Sequence, residues 1–119
     1  MGFAKVRVEV GNPEKPGFLK EVELVADTGA IYTVISREVL RELQIRSIGK
    51  RKFKLADGSV VEREVGIVQV KVKGRIAHTT VVFGEKGDVQ VLGMTTLEEL
   101  GLQVDPITGE LKPMELLLL

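Results

Sequence analysis

Apolar and polar residues alternate along most of the chain with a period of two. In residues 3–10, Phe3, Lys5, Arg7 and Glu9 fall on one side and Ala4, Val6, Val8 and Val10 on the other, the pattern of a half-buried strand. The turn cluster Gly11-Asn12-Pro13-Glu14-Lys15-Pro16-Gly17 and a second strand over 18–26 complete a hairpin. Residues 52–55 and 60–65 predict strands around Asp57-Gly58, a strong hairpin signal. Alternation resumes over 66–73, turns at Gly74 and returns over 76–83. A loop at 84–88, a short apolar strand over 89–93 and a last strand within 110–119 follow.

Two stretches break this rhythm. Ser36 is a good N-cap for a helix over 37–43, whose apolar stripe is Val39, Leu40 and Leu43. Thr96-Leu97-Glu98-Glu99 has the form of a capping box and predicts a helix ending at Gly101. Seven or eight strands and two short helices make the fold mainly β. A strand, a glycine and a capped helix occur twice, at 24–43 and 89–100, which predicts two related halves of one small, closed, barrel-like sheet. The second copy has Leu92-Gly93 where the first has Asp27-Thr28-Gly29.

Composition narrows the function. The length of 119 residues suits a single domain over 1–119. Lys plus Arg and Asp plus Glu number 17 each, so no net field favours a nucleic acid or an anionic membrane. The one tight basic group, Gly49-Lys50-Arg51-Lys52, reads as a solvated turn. The absence of cysteine excludes disulfides, thiolate metal sites and a cysteine nucleophile. His78 is the only histidine, which argues against a serine-type triad or a zinc site, and no phosphate-binding glycine loop occurs. No metal or cofactor is expected. The N-terminal segment lacks the apolar core of a signal peptide, and Leu116–Leu119 is far shorter than a membrane span, so a cytoplasmic protein is expected.

The unusual stretch is Val22 to Ala30. A run of strand formers ends in Asp27, although aspartate is depleted in strands, and the small residues Thr28, Gly29 and Ala30 follow. Such a carboxylate must be hydrogen-bonded, paired or exposed. Asp27 could be a turn-capping acid only. Asp57 and Asp105 read as turn residues rather than further catalytic acids. Tyr32 could line a cleft or simply pack.

Ala26-Asp27-Thr28-Gly29-Ala30 followed by Thr33-Val34-Ile35-Ser36 resembles the active-site segment of retropepsin-like (retroviral-type) aspartic proteases. The hairpin Leu55-Ala56-Asp57-Gly58-Ser59 and the later Val91-Leu92-Gly93 before a helix match that family in order and spacing, over roughly residues 20–101. The resemblance implies an aspartic endopeptidase with an acid-protease-type barrel. Two carboxylates would share a proton around the attacking water, because acids so close cannot both ionise. With one Asp-Thr-Gly in the chain, the second acid would be Asp27 of another copy in a homodimer. Thr28 would tie the two loops together, and Gly29 and Ala30 would admit close backbone approach. Ala56, Asp57 and Gly58 would form a flap over a peptide or protein substrate bound as an added strand. The flap tip is less glycine-rich than in viral members. Met94 and Ile31-Tyr32 stand where many of those members have an Arg and its acidic partner. Leu116–Leu119 could replace their dimer-locking strands. The competing expectation is a binding or assembly module that keeps the protease fold without proteolysis.

Overall fold

The structure, a computed structural model, describes residues 3–119. Met1, Gly2 and the Phe3 side chain, part of the N-terminal reading, lie outside the described residues. The elements are β1 (Phe3–Gly11), β2 (Leu19–Asp27), β3 (Thr33–Ser36), α1 (Arg37–Glu42), β4 (Gly49–Lys54), β5 (Val60–Val72), β6 (Arg75–Gly84), β7 (Val91–Leu92), α2 (Met94–Leu100), β8 (Leu102–Val104) and β9 (Leu111–Pro113). The fold is mainly β with two short helices, as the alternation implies.

The strands close into a ring. Neighbours run β1-β2-β7-β3-β6-β5, and β5 pairs back onto β1 through Glu9–Gly11 and Gln69–Lys71. β4 hangs outside the ring on β5 alone. The ring maps onto itself when β1, β2 and β3 are exchanged with β5, β6 and β7. The parallel pair β2–β7 becomes the parallel pair β6–β3, and β1–β2 becomes β5–β6. The antiparallel pairs β1–β5 and β3–β7 map onto themselves. These are the two related halves, each ending in a helix. The match differs in register from the one legible in the sequence. Val34-Ile35-Ser36 before α1 corresponds to Val91-Leu92-Gly93 before α2. The loop at 85–90 is the counterpart of the Asp27 loop.

Alternation decides what the ring encloses. Val8 and Val10 of β1, Val22, Leu24 and Ala26 of β2, and Val68 and Val70 of β5 are buried, while Lys5, Arg7, Glu21 and Glu23 are exposed. Leu40 and Leu43 at α1, and Leu97 and Leu100 of α2, fill the same core. Among the described residues, no buried side-chain nitrogen or oxygen lacks a hydrogen-bond partner.

Several expectations need correction. The basic group Gly49-Lys50-Arg51-Lys52 is no turn but the start of β4, paired with β5, and the short strand expected over 89–93 is only Val91–Leu92. Residues 60–65 and 66–73 form one strand, because Gly66 does not break β5. A Cβ there would meet Arg46 O at 2.9 Å, Ile45 Cγ2 at 3.0 Å and Phe83 Cε1 at 3.1 Å, so glycine is the space through which the α1–β4 connection packs. The Thr96–Glu99 pattern is not a capping box. α2 starts at Met94 with Gly93 as N-cap, and Thr96 is buried inside the helix. The last strand is only Leu111–Pro113, paired with β8, and residues 114–119 have no regular structure.

Salt bridges fasten the base of the β4–β5 hairpin to the ring. Arg63 of β5 holds Asp88 through Nε at 2.8 Å and Nη2 at 3.1 Å. Arg37 donates to Glu64 and Glu85, each at 2.7 Å, while stacking its guanidinium 5.1 Å from the centre of Phe83. Arg63 holds the Asp88 carboxyl below the usual carboxylate range, and Arg37 does the same for Glu85. Carboxylates depressed in the folded state add stability that is fully present above their unfolded value, about pH 4. That stability disappears as pH falls through the lower folded values. We therefore expect the melting temperature to be flat through neutral pH and to drop below about pH 4. Thermal scans of wild type and Asp88→Asn across pH 2.5–7 would test this, with the variant showing the shallower acid limb.

Candidate active site

Asp27 is the last residue of β2, and its neighbours in the strand determine where it points. Leu24 and Ala26 face the core, so the period of two turns Val25 and Asp27 the other way. Asp27 is half-buried, while Thr28 and Gly29 are exposed. The chain then turns sharply, with Ala30 N donating to Asp27 O at 3.1 Å. Within that turn Gly29 N donates to Asp27 Oδ1 at 2.8 Å. A Cβ on Gly29 would lie 3.2 Å from the same oxygen, so the residue that supplies the donor also keeps clear of the carboxylate. Among the described residues the second oxygen has no hydrogen-bond partner.

The loop is held rigidly from beneath by the other half of the ring. β2 and β7 run parallel, with Val25 opposite Val91 and Ala26 opposite Leu92, which brings Gly93 under the residues after Asp27. Met94 N donates to Ala30 O at 2.8 Å and Thr95 N to Ile31 O at 2.9 Å. The first N–H groups of α2 are thus satisfied by the loop instead of by a capping side chain. Gly93 N donates to Thr33 Oγ1 at 3.0 Å. Thr33 Oγ1 lies 2.6 Å from Thr96 Oγ1, which lies 2.9 Å from Thr79 Oγ1, so three buried hydroxyls run from the loop into β6. Gln90 adds a further tie, accepting from Val25 N at 3.1 Å through its backbone and from Ser36 N at 2.8 Å through its side chain.

In the sequence Thr79 and Gln90 have no visible role, Thr33 appears only as part of the segment that carries the resemblance, and Thr96 reads as a helix cap instead of a core hydroxyl. The one available signal was the presence of hydroxyl residues at core positions of otherwise apolar strands, where each must find a partner.

The expected hairpin forms between β4 and β5. Its tip is a three-residue loop, Ala56-Asp57-Gly58, with Gly58 at φ +88°. Asp57 Oδ1 accepts from Ser59 N at 2.9 Å and Ser59 Oγ at 2.6 Å, bonds that depress its pKa. Asp57 is therefore engaged as a turn residue. All three tip residues are exposed, and the hydrogen bonds found there are internal to the hairpin. The hairpin reaches the Asp27 loop lower down. The Phe53 ring of β4 meets Tyr32 edge-on, with centroids 5.7 Å apart. Tyr32 is thus a packed aromatic that joins the two expected parts of the site.

A concavity of about 420 Å³ lies elsewhere, between α1 and the root of the hairpin, lined by residues such as Arg41, Ile45 and Phe83. Asp27 sits instead on an open surface, flanked by Ile31, 64% exposed, and Tyr32, 40% exposed. Among the described residues, no group of three or more His, Cys, Asp or Glu side chains is placed to hold a metal ion. No helix among them is long and apolar enough to cross a membrane.

Residues 19–99, which contain the Asp27 loop, the hairpin and most of α2, match the family described as "gag-polyprotein putative aspartyl protease". The chain belongs to this retropepsin-like aspartic protease family. EIAV protease, solved with the inhibitor HBY-793, is 25% identical in sequence and superposes with a TM-score of 0.57, covering 83% of this chain and 88% of its own. A retropepsin-like aspartic protease from Rickettsia conorii shares the fold at 22% identity, with a TM-score of 0.53 over 87% of this chain and 85% of its own. No curated protein matches the chain in sequence.

Proposed function

We propose that the chain is a single retropepsin-like domain that acts as a homodimeric aspartic endopeptidase. Asp27 of each copy would flank one water, one carboxylate taking its proton as it attacks the peptide carbonyl. The other, protonated, would donate to the developing oxyanion. As the intermediate collapses, the first would pass the water's proton to the leaving nitrogen while the second takes its own proton back from the hydroxyl. Thr28, Gly29 and Ala30 position these acids, and the β4–β5 hairpin around Ala56, Asp57 and Gly58 closes over an extended peptide.

The observation that carries this reading is the combination at Asp27: a loop fixed from below, a carboxylate oriented by Gly29, and an open upper face. Asp27 lines neither of the two concavities near the hairpin root and has the exposed Ile31 and Tyr32 beside it, which suits a site whose opposite wall a second copy supplies. Exposed apolar residues could contribute to that contact. Ile31 flanks the acid, and Leu117, Leu118 and Leu119 are each at least 91% exposed.

Solution mass and peptidase activity measured across one dilution series test the reading together. Activity per chain should fall as the dimer dissociates, with the same midpoint in both measurements. A strict monomer that cleaves at constant specific activity would overturn it. A dimer without any cleavage would favour a binding module instead.

A further inference from the structure

We infer that the β4–β5 hairpin selects substrates carrying an acidic side chain two residues from an apolar one, and that Arg51 reads the acid. This rests on the proposed peptidase function and adds a substrate class to it.

The inference starts from the two faces of β4. Phe53 touches Tyr32, so its face is the one turned toward the Asp27 loop. Alternation places Arg51 on that face, and its cross-strand partners there, Val61 opposite Phe53 and Arg63 opposite Arg51, lead to buried Val65. The opposite face carries Lys50, Lys52 and Lys54. Two of these stand across from acids, Lys50 from Glu64 and Lys52 from Glu62. Glu62 and Glu64 thus offset part of the outer face's charge by position, although Glu64 is bound by Arg37 and these lysines make no salt bridge among the described residues.

The inner face is not balanced in this way. Arg63 is neutralised by Asp88 through two short bonds. Arg51 directly faces this occupied cation, is exposed, and donates only to the neighbouring backbone carbonyl of Lys50, at 2.9 Å. Among the described residues it makes no salt bridge. Arg51 therefore presents a guanidinium without a salt bridge among the described residues on the side of the hairpin that faces the candidate site. Five cations against three acids over residues 49–65 reinforce that field.

Spacing determines how a substrate would use it. An extended peptide places every second side chain on one side, roughly 6.5–7 Å apart, which is the separation of Arg51 and Phe53 along β4. A peptide laid beside β4 can set an apolar side chain against Phe53 and Tyr32 while a carboxylate two residues away meets Arg51. Arginine also suits a fork-like hydrogen-bonded pair with a carboxylate.

The experiment profiles cleavage of a mixed peptide library at low salt by mass spectrometry. Wild type, Arg51→Gln, Arg51→Glu and Lys54→Glu are compared. Wild type should favour an acid over its neutral amide at one position by about two- to fivefold, the upper part of the range for an exposed charge pair. The ratio should approach one in Arg51→Gln and fall below one in Arg51→Glu. Lys54→Glu changes hairpin charge equally but on the outer face, and should keep the wild-type ratio. Cleavage with no acid preference, or a preference lost equally in Lys54→Glu, would overturn the assignment to Arg51 and leave the peptidase function standing. No cleavage by any form, wild type included, would overturn the peptidase function and this inference with it.

Discussion

Asp27→Asn is expected to reduce peptide cleavage by at least about 10³-fold while leaving fold and dimer intact, since general acid–base groups each contribute roughly 10²–10⁴. The side chain is half-buried and isosteric with its replacement, and an Asn oxygen can still accept from Gly29 N. The loop ties through Ala30, Ile31 and Gly93 involve backbone and do not depend on the carboxylate. What disappears is the proton-accepting group, and in a homodimer it disappears from both copies at once. A mixing experiment adds the sharper test. When equal amounts of wild type and Asp27→Asn exchange subunits freely, only about one quarter of dimers retain two acids, so activity should fall to about one quarter of that of wild type at the same total concentration. A value near one half would mean that each chain works alone. Undiminished cleavage by purified Asp27→Asn would remove Asp27 from the mechanism.

Most of the ring was legible because its strands obey one rule. β1 and β2 bury alternate residues, β6 does so up to Thr79 before Val81 to Gly84 are all buried, and the limits of all three lie within about two residues of the pattern. The Asp27 segment was legible for the opposite reason, as a carboxylate where a strand should not have one. The pattern failed where a residue answers to a distant partner. Gly66 looked like a strand end because local rules equate glycine with a break, yet it serves the close passage of Ile45 and Arg46. Thr96 looked like a cap because a threonine three residues before a glutamate usually is one. In the fold its hydroxyl is bound by Thr33 and Thr79, 63 and 17 residues away in sequence. Leu116–Leu119 looked like a strand from composition, and among the described residues of the single chain no neighbouring strand receives it. Local sequence records propensity, whereas these positions are determined by which halves of the ring meet.

Gly93→Ala is expected to give the largest loss of stability of any single methyl addition near the site. A Cβ there would lie 2.4 Å from Tyr32 C, 2.6 Å from Tyr32 O and 2.7 Å from Ile31 O. These are backbone atoms, so no rotamer change relieves the overlap. Either the 27–32 loop lifts or α2 retreats. Both moves strain the bonds from Met94 N and Thr95 N to that loop and the bond from Gly93 N to Thr33. Overpacking of this kind costs about 1–3 kcal/mol and the weakened buried hydrogen bonds add about 1 kcal/mol or more. For a chain of this length, a loss near 3 kcal/mol corresponds to a melting temperature lower by roughly 10 °C. Backbone strain is not the cause, since Gly93 has φ −85°, a value any residue adopts. Gly58→Ala is the informative contrast. Gly58 has φ +88° with open space around its Cβ position, so the cost there is conformational, about 1 kcal/mol, and confined to an exposed hairpin tip. The two variants should therefore separate in differential scanning calorimetry by several degrees, with Gly93→Ala the less stable. Peptidase activity should fall with Gly93→Ala even below its melting point, because the displaced segment is the one that carries Asp27. Melting of Gly93→Ala within a degree or two of wild type, with activity retained, would show that the Asp27 loop is not held by this contact.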